Sequence, residues 1–144
     1  ATAPHPGGAG LRAATALALA GAGRTPGEVD HINAHGTSTA LNDAVEATAI
    51  RELYGTGLQN PTVTSAKGVL GHTMGAAGAI EAALTVLTVV RGTVPPTAGF
   101  TAPDAATAGI DLVHGAARPQ RVRLAVSHSL GFGGHNTVLA FTAA

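Results

Sequence analysis

The chain has 144 residues, with 45% hydrophobic and only 11% charged positions, and 8 Lys+Arg balance 8 Asp+Glu to zero net charge. That excludes a basic nucleic-acid-binding face and a disordered charged tail, and 3% aromatics exclude a base-stacking platform. Cysteine is absent, so disulfides, thiolate metal sites and a cysteine nucleophile are excluded within these residues.

Gly10 to Gly23 is rich in alanine and leucine and reads as a helix closed by a glycine cap. Thr25-Pro26-Gly27-Glu28 carries capping chemistry for a single turn. Val29 to Ala34 is a short strand leading into His35-Gly36-Thr37-Ser38-Thr39. Leu41, Val45, Ala49, Ile50 and Leu53 recur at helical spacing and predict a helix over Ala40 to Tyr54, with Asp43 and Glu46 in its early turns. Gly55 and Gly57 stop it. Pro61 to Ala66 alternates as a strand, with Val63 between threonines.

Lys67 to Met74 reads as a glycine-bearing loop, Gly75 to Val90 as a helix, and Pro95-Pro96 as the start of an extended connector. Ile110 to Val113 and Arg121 to Ser127 are strands. Gly131-Phe132-Gly133-Gly134 is a tight turn, and Thr137 to Phe141 is the return strand of a hairpin. There are no repeats, charge runs or linkers, so residues 1–144 are expected to form one domain.

Apolar residues surround the Gly75 to Val90 helix, including Ala76, Ile80, Leu84, Leu87 and Val90. A helix apolar on every face is expected to be buried on every face, and a lone chain of this size covers only one side. A further layer from another segment is therefore expected; the alternative is that the alanines tolerate exposure. Met74 to Val90 is short for a bilayer span and is interrupted by Gly75, Gly78, Glu81, Thr85 and Thr88. With no leader-like run at Ala1 to Gly8, a soluble, cytoplasmic protein with no membrane or nucleic-acid partner is expected.

Three polar sites stand where chain direction changes: His35 after a strand, Lys67 and His72 in a glycine loop, and the Gly131 to Asn136 hairpin tip. Open α/β proteins place ligands at such strand ends. Two histidines there support two readings. Neutral imidazoles can donate N–H groups to a developing oxyanion or enolate, or they can ligate a metal. No His-x-x-x-His pair and no carboxylate adjacent in sequence supports the metal, so none is expected. Taken singly, His31, His114 and His128 read as histidines satisfied by backbone partners. Glu81, the one acid of the apolar helix, needs a partner if buried, and Lys67 is the economical one. The alternative is two separate surface charges.

In order along the chain stand His35-Gly36-Thr37-Ser38-Thr39, Lys67 with Gly71-His72 and Thr73-Met74-Gly75-Ala76-Ala77-Gly78, Val94-Pro95-Pro96-Thr97, and Gly131-Phe132-Gly133-Gly134-His135-Asn136. With these motifs the chain resembles the C-terminal half of a β-ketoacyl-acyl carrier protein synthase, the condensing enzyme of type II fatty acid and polyketide synthesis. The resemblance runs from about Thr2 to Phe141.

It implies an α/β, thiolase-like fold: the C-terminal βαβαβαββ half of a five-layer α-β-α-β-α architecture, with the apolar helix in the central layer. It also implies that the nucleophilic cysteine lies in an N-terminal half outside these residues. The implied reaction is a decarboxylative Claisen condensation of malonyl-carrier protein with an acyl-enzyme thioester. His35 and His72 match the family's two catalytic histidines, Lys67 the lysine supporting them, and Glu81 its ion-pair partner. Thr37 and Thr39 match the threonines that bond the phosphopantetheine arm. Phe132 matches the gatekeeper, whose backbone N–H forms an oxyanion hole with that of the cysteine, and Gly131 and Gly133 belong to its gating loop. No intrinsic cofactor is implied. The implied partners are acyl carrier protein, the cysteine-bearing half, and a second synthase-like subunit in a homodimer or heterodimer.

The chain departs from the family in two places. Ser127-His128-Ser129-Leu130 stands where the family usually reads Asn-Ser-Phe before the last glycine motif, and Leu130 replaces an aromatic beside the gatekeeper. Gly68 replaces the usual serine after the lysine, which is expected to loosen that loop. Intact His35 and His72 distinguish the chain from a chain-length-factor subunit, and the missing second cysteine distinguishes it from a thiolase. The run from His35 to Asp43 looks more like discrete type II enzymes than modular synthases. The rival reading is a non-catalytic partner that lends surface and core to a condensing-enzyme dimer.

Overall fold

A computed structural model describes residues 4–57 and 60–143. Its elements are α1 (Ala9–Gly21), β1 (His31–Asn33), α2 (Ala40–Tyr54), β2 (Thr62–Thr64), α3 (Lys67–Leu70), α4 (Ala77–Arg91), β3 (Thr93–Val94), β4 (Asp111–Leu112), β5 (Arg118–Pro119), β6 (Leu124–Leu130) and β7 (Asn136–Thr142). Strands β4, β2, β1, β6 and β7 form one sheet in that order, with β1 at its centre. β1 runs parallel to β2 and β6, β2 runs parallel to β4, and β7 returns antiparallel along β6. The carboxyl ends of β2, β1 and β6 therefore open side by side on one edge of the sheet.

Local chemistry fixes the element ends. Thr25 and Glu28 form the capping box expected of the single turn before β1. Gly55 ends α2 at φ 84°, and Gly92 ends α4 in the left-handed region, its N–H donating to the Thr88 carbonyl at 3.0 Å.

The two sheet faces differ in polarity because alternate strand residues point opposite ways. Ile32, Val63, Val126 and Val138 share a core with Leu11 and Leu19 of α1 and Ala49 and Ile50 of α2. The opposite face carries Asn33 and Ser127, both buried, and α4 packs there. The Asn33 amide donates to the Glu81 carbonyl at 3.1 Å and to Thr85 Oγ1 at 3.2 Å, so β1 grips the first turns of α4.

Helix α4 is not apolar on every side. Its buried residues are Ala77, Glu81, Thr85, Thr88 and Val89, a largely polar stripe turned toward the chain's own sheet. The threonines satisfy their hydroxyls on the helix itself, Thr85 on the Glu81 carbonyl at 2.7 Å and Thr88 on the Leu84 carbonyl at 3.0 Å. The apolar stripe faces outward instead, with Val86 41%, Leu87 43% and Val90 75% exposed. Expected burial on all sides thus becomes an inverted amphipathic helix, uncovered among the described residues. By length and composition alone, Met74–Arg91 would also reach across a membrane. Here its polar stripe is committed to the sheet.

Other expectations shift at boundaries. The Lys67 to Met74 segment is not simply a loop: α3 forms one helical turn, and Met74–Ala76 a second, tighter one. The strand expected over Arg121 to Ser127 lies at Leu124–Leu130, because the Asp30 carboxylate takes the N–H groups of Arg123 (2.7 Å) and Leu124 (3.3 Å) where pairing begins. The antiparallel β3–β5 pair had no sequence signal, being two residues per strand. Gly68 is a close-approach glycine: a Cβ there would collide with the Ala98 carbonyl, so the residue seats α3 against the connector.

Candidate active site

His35 follows the carboxyl end of central strand β1 and is 7% exposed. Its backbone N–H donates to Glu46 Oε1 and that of Gly36 to Glu46 Oε2, each at 2.8 Å. Gly36 has φ 41° and lies so close to Ser65 that a Cβ would come within 2.6 Å of the Ser65 Cβ. The Ser65 hydroxyl donates to the Gly36 carbonyl at 2.9 Å. This knot aims the His35 ring.

Lys67 opens α3, just beyond the end of β2, and is buried. Its ammonium pairs with Glu81 and lies 3.4 Å from His35 Nδ1. The two charges are thus a buried pair, not separate surface groups. His72 follows Gly71, the cap of α3, and its ring meets that of His35 edge to face at 5.5 Å between centroids and 84° between planes.

The ring protons follow from the partners. The Met74 backbone N–H donates to His72 Nδ1 at 3.1 Å, and an amide can only donate. His72 Nδ1 is therefore an acceptor, and the neutral ring carries its proton on Nε2. An ammonium likewise only donates, so the Lys67 contact assigns the His35 proton to Nε2. Burial, reinforced by the Lys67 charge and partly opposed by Glu46, lowers the His35 pKa to about 4. The ring is neutral at physiological pH. Ser38 and Met74, beside the two histidines, hold φ values of 60° and 52°, a conformation L-residues adopt at a cost.

The remaining expected residues lie at the same sheet edge without bonding the histidines, among the described residues. Thr37 and Thr39 sit on the loop into α2 and bond each other at 2.9 Å. Phe132 is 71% exposed on the turn between β6 and β7, with Gly133 at φ 77°. The Gly131 N–H closes that turn on the His135 carbonyl at 2.7 Å.

Sequence reasoning missed Glu46 and misread His128. Glu46 does lie in the early turns of α2, but it is 2% exposed and clamps the His35 backbone. Burial would raise its carboxyl, but the His128 hydrogen bond and charge and the Gly36 and His35 amides hold it below the usual value. His128 is not satisfied by the backbone: its Nδ1 lies 3.1 Å from Glu46 Oε1. The signal was periodicity, since Glu46 precedes the buried Ala49 and Ile50 by three and four residues and shares their face. His31 does match its structural reading, with Nδ1 3.1 Å from the Thr62 carbonyl, whereas His114 does not: it is exposed and packs its ring against Phe100, with no side-chain hydrogen bond among the described residues.

Residues 1–101 match the family described as Beta-ketoacyl synthase, C-terminal domain. The chain belongs to this family. Over 140 residues it is 45% identical to 3-oxoacyl-[acyl-carrier-protein] synthase 2 of Synechocystis sp., covering 97% of this chain and 33% of that protein. Its fold matches the ishigamide ketosynthase/chain length factor with a TM-score of 0.92 at 36% identity, covering 99% of this chain and 34% of the other. It also matches, with a TM-score of 0.88 at 29% identity, a type II polyketide synthase ketosynthase in complex with its acyl carrier protein, over 99% of this chain and 35% of that one. The fold is thus α/β and thiolase-like, and the chain is a ketosynthase C-terminal domain of the condensing enzymes. It spans about a third of the length of the curated relatives it matches.

Proposed function

We propose that this β-ketoacyl synthase C-terminal domain supplies the His-His-Lys half of an active site for decarboxylative Claisen condensation. The observation that carries the reading is the edge-to-face pair of rings, His35 and His72, each with Nδ1 held by a fixed donor and with no Nε2 partner among the described residues.

In the proposed reaction an acyl group waits as a thioester on a cysteine outside these residues. The malonyl thioester loses carbon dioxide by cleavage of its C–C bond, and the electron pair moves onto the thioester oxygen as an enolate. Nε2–H groups of His35 and His72 donate to that oxygen as its charge grows. The enolate carbon then attacks the acyl thioester and expels the cysteine thiolate. A neutral imidazole suits this role because it stabilises charge by donation without surrendering its proton first. Lys67, held by Glu81, keeps His35 Nδ1 unprotonated and so keeps the donor on the working side. The Phe132 backbone N–H would stabilise the acyl oxyanion, with the gate moving on Gly131 and Gly133, and Thr37 and Thr39 would bond the phosphopantetheine arm.

The partners proposed are acyl carrier protein, a cysteine-bearing half that covers the outward apolar stripe of α4, and a second synthase-like subunit. The rival, a purely structural partner, accounts for the stripe but gives no reason for two histidines in matched tautomers. In the complete synthase, His35→Ala and His72→Ala are each expected to lower malonyl-carrier protein decarboxylation about 100- to 1000-fold, the cost of losing one oxyanion donor. Cysteine acylation should fall far less. Wild-type decarboxylation in both variants would overturn the proposal.

A further inference from the structure

We propose that His128 is a positioning residue for His35, acting through the buried Glu46 carboxylate. The inference rests on the condensing-enzyme reading above and adds to it a residue outside the His-His-Lys set.

The route is short and continuous. His128 is fully buried in β6. It stands opposite Val138 of β7, and by strand alternation shares its sheet face with Val126 and Leu130. In that apolar setting its polar partner is Glu46 Oε1, 3.1 Å from Nδ1, and its Nε2 has no partner among the described residues. A carboxylate only accepts, so Nδ1 is the donor. Glu46 in turn spends its oxygens on the two amides that begin the active-site loop, those of His35 and Gly36. Asn42 adds a weaker bond to Oε2 at 3.3 Å. The carboxylate is thus gripped from α2, from the β1 end and from β6, and His128 is the β6 grip.

Without His128, Oε1 would keep only the His35 amide, and the buried carboxylate would lose a donor it cannot replace with water. It would then shift toward Asn42, carrying the His35–Gly36 backbone with it. Small displacements of that kind lower rates without unfolding the chain. An asparagine at this position would offer an amide donor of shorter reach.

The test compares His128→Leu, which keeps bulk and removes the donor, with His128→Asn, which restores one, in the complete synthase. The expected result is a drop of about tenfold or more in kcat for malonyl decarboxylation in His128→Leu, with KM and cysteine acylation within about twofold of wild type. His128→Asn should recover most of the loss. Glu46→Gln, which turns an acceptor into a donor facing a backbone N–H, should reproduce the His128→Leu defect and serves if that variant does not fold. Wild-type decarboxylation in His128→Leu, or in Glu46→Gln where His128→Leu cannot be obtained, overturns the positioning role. So does an equal loss of acylation and decarboxylation, which marks a merely structural residue. His35→Ala is measured alongside: if it decarboxylates normally, the condensing-enzyme reading itself fails, whereas an inactive His35→Ala beside an active His128→Leu rejects only the His128 proposal.

Discussion

At the scale of single residues, burial sets protonation, and protonation sets what each histidine can do. His31, with its ring against Thr62, is buried in a setting that lowers its pKa from 6.5 to about 4. Its folded pKa is depressed, so the unfolded chain binds the proton more readily. Stability is therefore lost as pH falls from about 6.5 through about 4, and is retained above that window. The expected loss from this group is on the order of 3 kcal/mol. Denaturant titrations at pH 7 and pH 4.5 should show His31→Asn losing less stability between the two than the parent chain; an equal loss would contradict the assignment. His35 is neutral for the same reason, so its Nδ1 should keep accepting from Lys67 until about pH 4. Residue types were legible in the sequence: His35, Lys67, His72 and Glu81 stand together as expected. Glu46 and His128 were not, because each alone looks ordinary and only the folded sheet brings positions 46 and 128 into contact.

At the scale of elements, the sequence marked helices better than strands. Ala40–Tyr54 matches its spacing because a periodic apolar face and a closing glycine specify the same span. Strands of two or three residues carry too few alternations to announce themselves, and β6 moved because a distant carboxylate, Asp30, captures its first amides. The loops at the sheet edge depend on backbone freedom. Gly36→Ala places a Cβ against Ser65 at a positive φ and should destabilise the fold by about 1–3 kcal/mol. Because the same backbone aims His35, decarboxylation should fall as well. A thermal midpoint unchanged from the parent chain would show that the knot yields without strain.

At the scale of the whole molecule, α4 leaves an apolar stripe uncovered among the described residues. Its polar stripe faces the chain's own sheet and its apolar stripe faces out, the reverse of a helix at a finished surface. The sequence conveyed the excess of apolar residues but not their inversion, because Thr85 and Thr88 hide their hydroxyls on helix carbonyls and act as small buried residues. Substituting Leu87 and Val90 together by glutamate should make the isolated chain less prone to self-association and should weaken its assembly with the cysteine-bearing half. Size-exclusion profiles identical to those of the parent would contradict a buried role for this stripe. Decarboxylation is proposed to belong to this chain's residues and acylation to a cysteine-bearing half. Carbon dioxide release from malonyl-carrier protein, measured in the complete synthase with its cysteine blocked, separates the two. Release should continue with the cysteine blocked and be lost when His35→Ala is added. Release that stops on blocking the cysteine, or persists without the His35 imidazole, would contradict it.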